Sequence, residues 1–264
     1  MKMKRLIALC LAALTVLCLA GCGGGSESGD LLDQIRKRGE IVIALEGSWA
    51  PWNYHNEADE LVGYDVEVAQ RVAEKLGVKA SFVEGEFDGL LAGLDAGRYD
   101  LVVNGVDIDP ERQEKYDFSD PYAYGRTAVI VRGDNRDIQS MEDLAGKSTA
   151  NTLDSTYAAL AERYGAEVTG VDDLNQTFEL LFSGRIDATL NAEVSYYDYM
   201  KEHPDADIKI AVLAPEVNRT AIPVRKGEEA LLAAVNQTLA ELSESGELSE
   251  LSIKYFGTDI SRNQ

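Results

Sequence analysis

Histidine is nearly absent from this chain, which has only His55 and His203 among its 264 residues. Both lie in polar stretches, and neither has a partner at the spacing of a metal ligand, so a zinc site or a Ser-His-Asp triad has little support. The chain also lacks the GxxxxGK[ST] sequence that cradles phosphates and the GxSxG sequence that exposes a catalytic serine. Its 46 acidic residues bring carboxylates together by chance, which does not indicate a glycosidase. We therefore predict no catalytic residue, no metal site and no cofactor.

Basic residues are also few. The chain has 25 lysines and arginines against 46 aspartates and glutamates, a net charge of −21. Nucleic-acid binding needs basic patches for the phosphates, and binding flat on an anionic membrane needs the same charge. The composition argues against both partners. The acidic residues are spread along the chain, which predicts an ordinary solvated surface.

The first 22 residues, "MKMKRLIALCLAALTVLCLAGC", place three basic residues before an apolar run over residues 6–20. This pattern is typical of an export signal and is too short for an ordinary membrane span. Its end, "LAGC", resembles a bacterial lipoprotein signal, which implies cleavage before Cys22 and lipid (palmitate) on that residue. The alternatives are an uncleaved anchor helix or a secretory signal cut at a small residue. We predict a signal peptide over 1–21 and lipid attachment at Cys22.

The cysteines of this chain do not predict a disulfide bond. Cys10, Cys18 and Cys22 are the only three, and the first two lie in the predicted signal. The exported chain would keep one lipid-modified cysteine, without a disulfide or a thiolate metal site. The polar sequence "GGGSESGD" that follows predicts a flexible linker over 22–30.

The rest of the chain is long enough for two domains. It alternates predicted strands, such as 41–45, with amphipathic helices, such as 65–77, whose N-terminus Asp65 could cap. Strands that alternate with helices of this length predict an α/β fold with parallel sheets. Ligands of such folds bind at the carboxyl ends of the strands.

Residues 104–112, "NGVDIDPER", follow the predicted strand "YDLVV" and so occupy the position of a ligand loop. Arg112 is the only cation of this acidic, turn-forming stretch. A guanidinium offers a planar fork that binds a carboxylate through two hydrogen bonds. Gly105 permits a close backbone approach, and the loop N–H groups at Gly105 and Asp107 could add donors. The alternative is an exposed arginine after Pro110.

Several separate stretches then carry a family resemblance in the right order: "ALEGSWAPWNYHNEADELVGYDVEVAQRVAEKLGVK", "FDGLLAGLDAGRYDLVVNGVDIDPERQEKYDFSDPY", "DLAGKSTANTLDSTYAAL", "GRIDATLNAEV" and "YFGTDIS". From about residue 31 to 260 the chain resembles the extracellular amino-acid-binding proteins of ABC importers. It is most similar to the cystine- and polar-amino-acid-binding lipoproteins.

The resemblance implies a two-lobed type II periplasmic-binding-protein fold, in which the chain crosses between the lobes twice. Lobe one would comprise 31–124 and 221–264, and lobe two would comprise 125–220. The hinge would lie near "YAYGRTA" and "VNRTAIP". In this family an amino acid binds between the lobes, the lobes close, and the closed form docks on a membrane permease.

The resemblance also implies the ligand contacts. Arg112 matches the arginine that binds the α-carboxylate, Glu46 the acid of the first loop, and Trp49 the stacking aromatic. Phe87 matches the aromatic on the opposite side of the ligand. The further implied contacts are Trp52, Asn104, Gly105, Ser155 and Thr156. The last two match carboxylate donors of lobe two, although they equally suit the N-terminal cap of the following helix.

Two positions depart from the family pattern. Asp107 stands where relatives usually have serine or threonine, and Ala192 where they usually have the aspartate that pairs with the ligand's α-ammonium. Our hypothesis is that Asp107 or Glu193 takes over the ammonium, with Asn191 donating or accepting a hydrogen bond beside it. The alternative is that Asp107 caps the turn "DIDPER" and faces solvent.

We therefore predict a monomeric, lipid-anchored receptor on the outer face of a bacterial membrane, which binds a polar or cystine-like amino acid and serves an ABC permease. Two alternatives come from other classes. One is an exported enzyme like cyclohexadienyl dehydratase, with Glu46, Asp107 or Glu193 as its general acid or base. The other is a sensory domain that reports its ligand to a signalling partner.

Overall fold

The computed structural model describes residues 30–263. The predicted signal peptide, the predicted lipid-attachment residue Cys22 and the linker up to residue 29 lie outside the described residues. The described residues from Leu31 onward form one compact unit. In the part of the chain that the structure describes, no helix combines the length and the apolar character that crossing a membrane requires.

The first half of this unit contains four helices and seven strands. Its elements in chain order are α1 (Leu31–Arg38), β1 (Glu40–Leu45), β2 (Ser48–Trp49), β3 (Asn53–His55), β4 (Leu61–Val62), α2 (Tyr64–Leu76), β5 (Lys79–Glu84), α3 (Phe87–Asp95), β6 (Leu101–Val102), α4 (Pro110–Lys115) and β7 (Tyr116–Phe118).

The second half continues the alternation. Its elements are β8 (Ala123–Arg132), a 3₁₀ turn (Met141–Leu144), β9 (Ser148–Asn151), α5 (Thr156–Arg163), β10 (Glu167–Gly170), α6 (Leu174–Phe182), β11 (Ala188–Ala192), α7 (Glu193–Glu202), β12 (Ile208–Thr220), β13 (Pro223–Arg225), α8 (Glu229–Ser245) and α9 (Glu247–Phe256).

Two sheets organise these elements into two lobes. The first is a parallel sheet in the order β5-β1-β6, and we call the part around it lobe one. Its apolar strand β1 packs against the buried stripe of α2, which includes Val68 and Val72, and residues of α8 and α9 complete the same hydrophobic core. The second sheet has the order β10-β9-β11-β8-β12, and we call the part around it lobe two. This arrangement confirms the predicted two-lobed α/β fold.

The second sheet is mixed, whereas the alternation of strands and helices predicted parallel sheets. Strands β10, β9 and β11 are parallel, but β8 runs antiparallel to both β11 and β12. The reason is that β8 and β12 are long strands that pair with each other, from Ala123 with Thr220 to Arg132 with Ile208. Their ends contain the two predicted hinge segments. The predicted lobe limits themselves stay a prediction.

Asp65 differs from its predicted role as a helix cap. Helix α2 begins one residue earlier, and Gly63 precedes it without a side-chain cap. The Asp65 carboxylate is instead fully buried and accepts hydrogen bonds from the Tyr122 hydroxyl (2.6 Å) and the Asn53 amide (3.0 Å). Burial raises its pKa to about 7, against the lowering effect of these two donors.

Candidate functional site

A cleft of about 510 Å³ lies where the carboxyl ends of strands from both lobes meet. Nine of the twelve predicted ligand-binding residues line it: Glu46, Trp49, Phe87, Gly105, Asp107, Arg112, Ser155, Thr156 and Asn191. The structure thus brings together residues that lie up to 145 positions apart in the sequence. Whether they contact a ligand stays a prediction.

Arg112 is buried rather than exposed, because it lies in the first turn of α4 and points across the cleft. Its Nε–H faces Asp109 Oδ2 at 3.1 Å, one N–H of Nη1 donates to the Asp107 carbonyl at 3.1 Å, and one of Nη2 donates to the Asp154 carbonyl at 2.7 Å. A guanidinium has five N–H donors. One donor therefore remains on each terminal nitrogen, which is the pair that a bidentate carboxylate uses. The ring of Phe87 lies 5.5 Å from the guanidinium carbon.

Asp107 neither caps the following turn nor faces solvent, so that alternative is wrong. The cap is Asp109, whose carboxylate accepts from the first backbone N–H groups of α4. Asp107 is buried and accepts from the hydroxyl of Thr156 (2.9 Å), the amide of Asn218 (3.0 Å) and the hydroxyl of Thr220 (3.3 Å). Burial raises its pKa to about 6, an effect that the Thr156 hydrogen bond and the charge of Arg112 oppose. Its carboxylate ties the loop to lobe two and to the end of β12.

Glu46 follows β1 and carries the second perturbed carboxylate of the cleft. Burial raises its pKa to about 7, the hydrogen bond from Asn104 lowers it, and the negative charges of Asp173 and Asp88 raise it further. Asn104 is fully buried and does not line the cleft. Its amide donates to Glu46 Oε2 and its carbonyl oxygen accepts from the Glu46 backbone, both at 2.7 Å. Asn104 therefore positions Glu46.

The aromatic wall of lobe one depends on a glycine. Trp49 and Trp52 stack with ring centroids 5.4 Å apart. Gly105 has a φ of +55°, and a β-carbon added to it would lie 2.6 Å from Trp49 Cζ3. Only a glycine lets the backbone approach the indole this closely.

Ser155 and Thr156 begin helix α5 on the side of lobe two. The Ser155 hydroxyl accepts from Ala158 N–H at 3.1 Å and donates to the Thr152 carbonyl at 2.6 Å, so Ser155 is the N-terminal cap. The Thr156 hydroxyl donates to Asp107. Both hydroxyls are therefore engaged within the protein, and the backbone N–H groups at this helix start remain the natural donors to a carboxylate.

Three of the twelve predicted residues do not line the cleft. Asn104 lies behind it. Trp52 and Glu193 line a second cavity of about 320 Å³, which shares Gly105, Asp107 and Tyr157 with the first. Glu193 therefore lines the second cavity and not the first. This placement does not favour Glu193 as the partner of an ammonium bound in the first cleft.

Sequence reasoning missed six lining residues: Asn151, Thr152, Tyr157, Asp173, Leu174 and Thr177. Asn151 ends strand β9, and Asp173 caps α6 by accepting from Gln176 N–H at 3.0 Å. The carboxyl ends of parallel strands lie at one edge of a sheet, and ligands bind at that edge. The ends of β9 and β11 could therefore have been predicted to line the cleft. The polar residues of helix α6 carried no such signal.

The two lobes contact each other directly across the cleft. Trp49 Nε1–H donates to Ser195 Oγ at 3.1 Å, and Asp154 N–H donates to Asp88 Oδ1 at 3.1 Å. The hydrogen bonds of Thr156 with Asp107 and of Arg112 with the Asp154 carbonyl join the same two surfaces. The structure therefore shows the lobes closed upon each other.

Among residues 30–263, no cluster of three or more histidine, cysteine, aspartate or glutamate side chains could hold a metal ion. The polar lining supplies carboxylates, amides and one guanidinium. This set suits a small molecule with opposite charges and hydrogen-bonding groups.

Comparison with known proteins gives a consistent result. Residues 41–258 match the bacterial extracellular solute-binding proteins, family 3. The L-cystine-binding protein TcyA of Bacillus subtilis is 38% identical over 98% of this chain and 100% of its own.

Two solved structures share the fold. An ancestral amino acid-binding protein, described as a precursor of cyclohexadienyl dehydratase, superposes with a TM-score of 0.78 at 30% identity, over 86% of this chain and 100% of its own. The L-cystine solute receptor of Neisseria gonorrhoeae, in an unliganded open conformation, gives 0.61 at 39% identity, over 89% and 100%. The lower score at higher identity agrees with a difference in lobe closure.

Proposed function

This chain belongs to the bacterial extracellular solute-binding proteins of family 3, and we propose that it is a lipid-anchored receptor that captures a polar or cystine-like amino acid between its lobes. We further propose that the closed form delivers this ligand to an ABC permease in the membrane. The relatives in this family are amino-acid- and cystine-binding proteins, which supports the ligand class.

The observation that carries the proposal is the state of Arg112. Its side chain is buried at the cleft, its orientation is fixed by three partners, and one N–H donor remains on each terminal nitrogen. A buried, oriented guanidinium recognises a carboxylate strongly and specifically. The start of helix α5, which faces it, favours the same negative group.

The first test is thermal unfolding of residues 23–264, without signal and Cys22, against a panel of amino acids. This shortened protein keeps the whole compact unit that begins at Leu31. A ligand at 100 times its Kd should stabilise it by about 2.7 kcal/mol. For a chain of this size the melting temperature should rise by about 5–10 °C. No shift with any amino acid would refute the proposed ligand class.

Arg112→Lys then tests the carboxylate contact. Lysine keeps the charge but has no planar fork, so we expect affinity to fall at least about tenfold. Arg98→Lys is the matched control, because Arg98 is an exposed arginine of the same lobe that does not line the cleft. Equal affinities of the two variants would contradict the proposed contact between Arg112 and the ligand carboxylate.

Membrane attachment is tested separately. The sequence "LAGC" supports lipid on Cys22, so Cys22→Ser should abolish incorporation of labelled palmitate and release the protein from the membrane fraction. Cys18→Ser should retain both, because Cys18 lies within the predicted signal. Unchanged palmitate labelling of Cys22→Ser would contradict the proposal that Cys22 carries the lipid.

The structural likeness to a precursor of cyclohexadienyl dehydratase supports one test for an enzyme. Glu46 has a pKa of about 7, which suits a general acid or base near neutral pH. We nevertheless propose a receptor, because the relatives above are binding proteins. Turnover of prephenate or arogenate that is lost in Glu46→Gln would replace this proposal by an enzyme.

A further inference from the structure

The cleft carries more negative charge than its own cation balances. Arg112 is the single basic residue among the described residues that line it, whereas Glu46, Asp107 and Asp173 are acidic. Arg112 already faces the carboxylate of Asp109 at 3.1 Å. The protein alone therefore leaves the cleft with a net negative charge.

Two of these carboxylates have no cation of their own. Asp107 lies near Arg112 and accepts three hydrogen bonds, as described above. Glu46 in lobe one and Asp173 in lobe two have no ion-pair partner among residues 30–263. They face the same cleft from opposite sides, and the charge of Asp173 contributes to the raised pKa of Glu46. Like charges held this way attract a cation.

An unpartnered amide gives independent support. Asn151 lines the cleft and is 4% exposed. Its Nδ2–H donates to the Leu190 carbonyl at 2.7 Å, which fixes the orientation of the amide. Its Oδ1 is a buried acceptor without a hydrogen-bond partner in the described part of the chain. A ligand N–H group would satisfy this oxygen, since buried polar atoms are nearly always hydrogen-bonded.

We infer that the ligand carries two cationic nitrogen groups besides the carboxylate that Arg112 binds, and that Glu46, Asp173 and Asn151 recognise them. One is the α-ammonium, and the other lies on the side chain. Two kinds of amino acid have this chemistry: a dibasic amino acid with a net positive charge, and a double amino acid such as cystine, with two ammonium groups and two carboxylates. This inference rests on the proposed function and narrows its ligand class.

The test is calorimetric titration of residues 23–264 at pH 7 with glutamine and serine (one cation), lysine and arginine (two cations), and cystine (two ammonium groups). At least one two-cation ligand should bind about tenfold or more tightly than glutamine or serine, as expected for one additional charge-assisted hydrogen bond. Tighter binding of cystine than of lysine and arginine would identify the double amino acid, and the reverse order the dibasic class. Equal or tighter binding of glutamine or serine overturns the inference and leaves the proposed function standing. Absence of binding by all five overturns the proposed function as well.

Asp173→Asn locates the second cation. Asparagine caps a helix about as well as aspartate, so the variant removes the charge and keeps the start of α6. Affinity for the two-cation ligand should fall about tenfold or more, and any change for glutamine should stay below about threefold. Asp172→Asn is the control, because Asp172 is exposed and does not line the cleft. An equal loss for both ligand classes, or an equal effect of the two variants, would overturn the role of Asp173.

Discussion

Replacement of Glu46 by glutamine should make the ligand-free protein more stable at alkaline pH. Glutamine has nearly the same shape, and its carbonyl oxygen can still accept the hydrogen bond from Asn104. The variant removes only the charge that burial in the cleft and the neighbouring carboxylates disfavour. A group of the proposed binding site would thus be destabilising in the absence of ligand.

The magnitude follows from the pKa of Glu46, about 7 in the folded protein against 4.5 as its ordinary value. Above pH 4.5 the unfolded chain releases this proton, while the folded protein holds it until about pH 7. Stability of the native protein therefore falls as pH rises from about 4.5 and levels off above about 7. Across this pH range the free energy of unfolding falls by roughly 3 kcal/mol in total. Glu46→Gln lacks this loss.

Urea unfolding at pH 5 and pH 8 measures the difference, with fluorescence of Trp49 and Trp52 as the signal. The stability of Glu46→Gln relative to the native protein should rise by about 2–3 kcal/mol between the two pH values. Glu57→Gln, at an exposed glutamate of the same lobe, is the control for charge alone. A stability difference that is the same at both pH values would refute the assignment of a high pKa to Glu46.

Three further substitutions test the geometry of the cleft. Gly105→Ala should displace Trp49 and lower ligand affinity at least about tenfold. Gly97→Ala is the control and should keep the affinity, because Gly97 has a similar φ of +65° but nothing lies within 4 Å of an added β-carbon. Equal ligand affinities of the two variants would contradict this prediction. Thr156→Val removes a donor to a buried carboxylate and should lower the free energy of unfolding at pH 8 by about 1–3 kcal/mol, and unchanged urea unfolding would count against that bond. Ser195→Ala removes the acceptor of Trp49 Nε1–H across the lobes and should weaken ligand binding about threefold to tenfold; unchanged affinity and tryptophan emission would show that this bond does not favour closure.

Much of the fold could be predicted from local patterns, because strands and helices depend on residues that are close in sequence. The apolar run of β1, the stripe of α2 and the glycine after it predict their elements correctly. The sequence did not predict the short helix α4, since six residues that begin with a proline resemble a turn. This helix buries Arg112 and directs it across the cleft.

Roles that depend on distant partners could not be predicted from the sequence. Asp107 has a turn sequence around it, but its hydrogen-bond partners lie 49, 111 and 113 residues away. Asn191 lies within strand β11 and Glu193 directly follows this strand, yet the two line different cavities. Residues two apart in a strand share a face, so strand alternation alone would place these two side chains together. Glu193 instead begins helix α7, and its direction is set by the turn from strand to helix, which the pattern of the strand does not reveal.

The proposed ligand class also explains how closure would depend on the ligand. Closed lobes bring Glu46 and Asp173 to the same cleft, and without a ligand their repulsion opposes the cross-lobe hydrogen bonds of Trp49 and Thr156. A ligand shifts a conformational equilibrium only by binding one state better than the other. A cation between the two carboxylates turns their repulsion into attraction in the closed form alone. An amino acid without a second cation would relieve less of this repulsion, so the same pair of charges would select the ligand and couple its binding to closure.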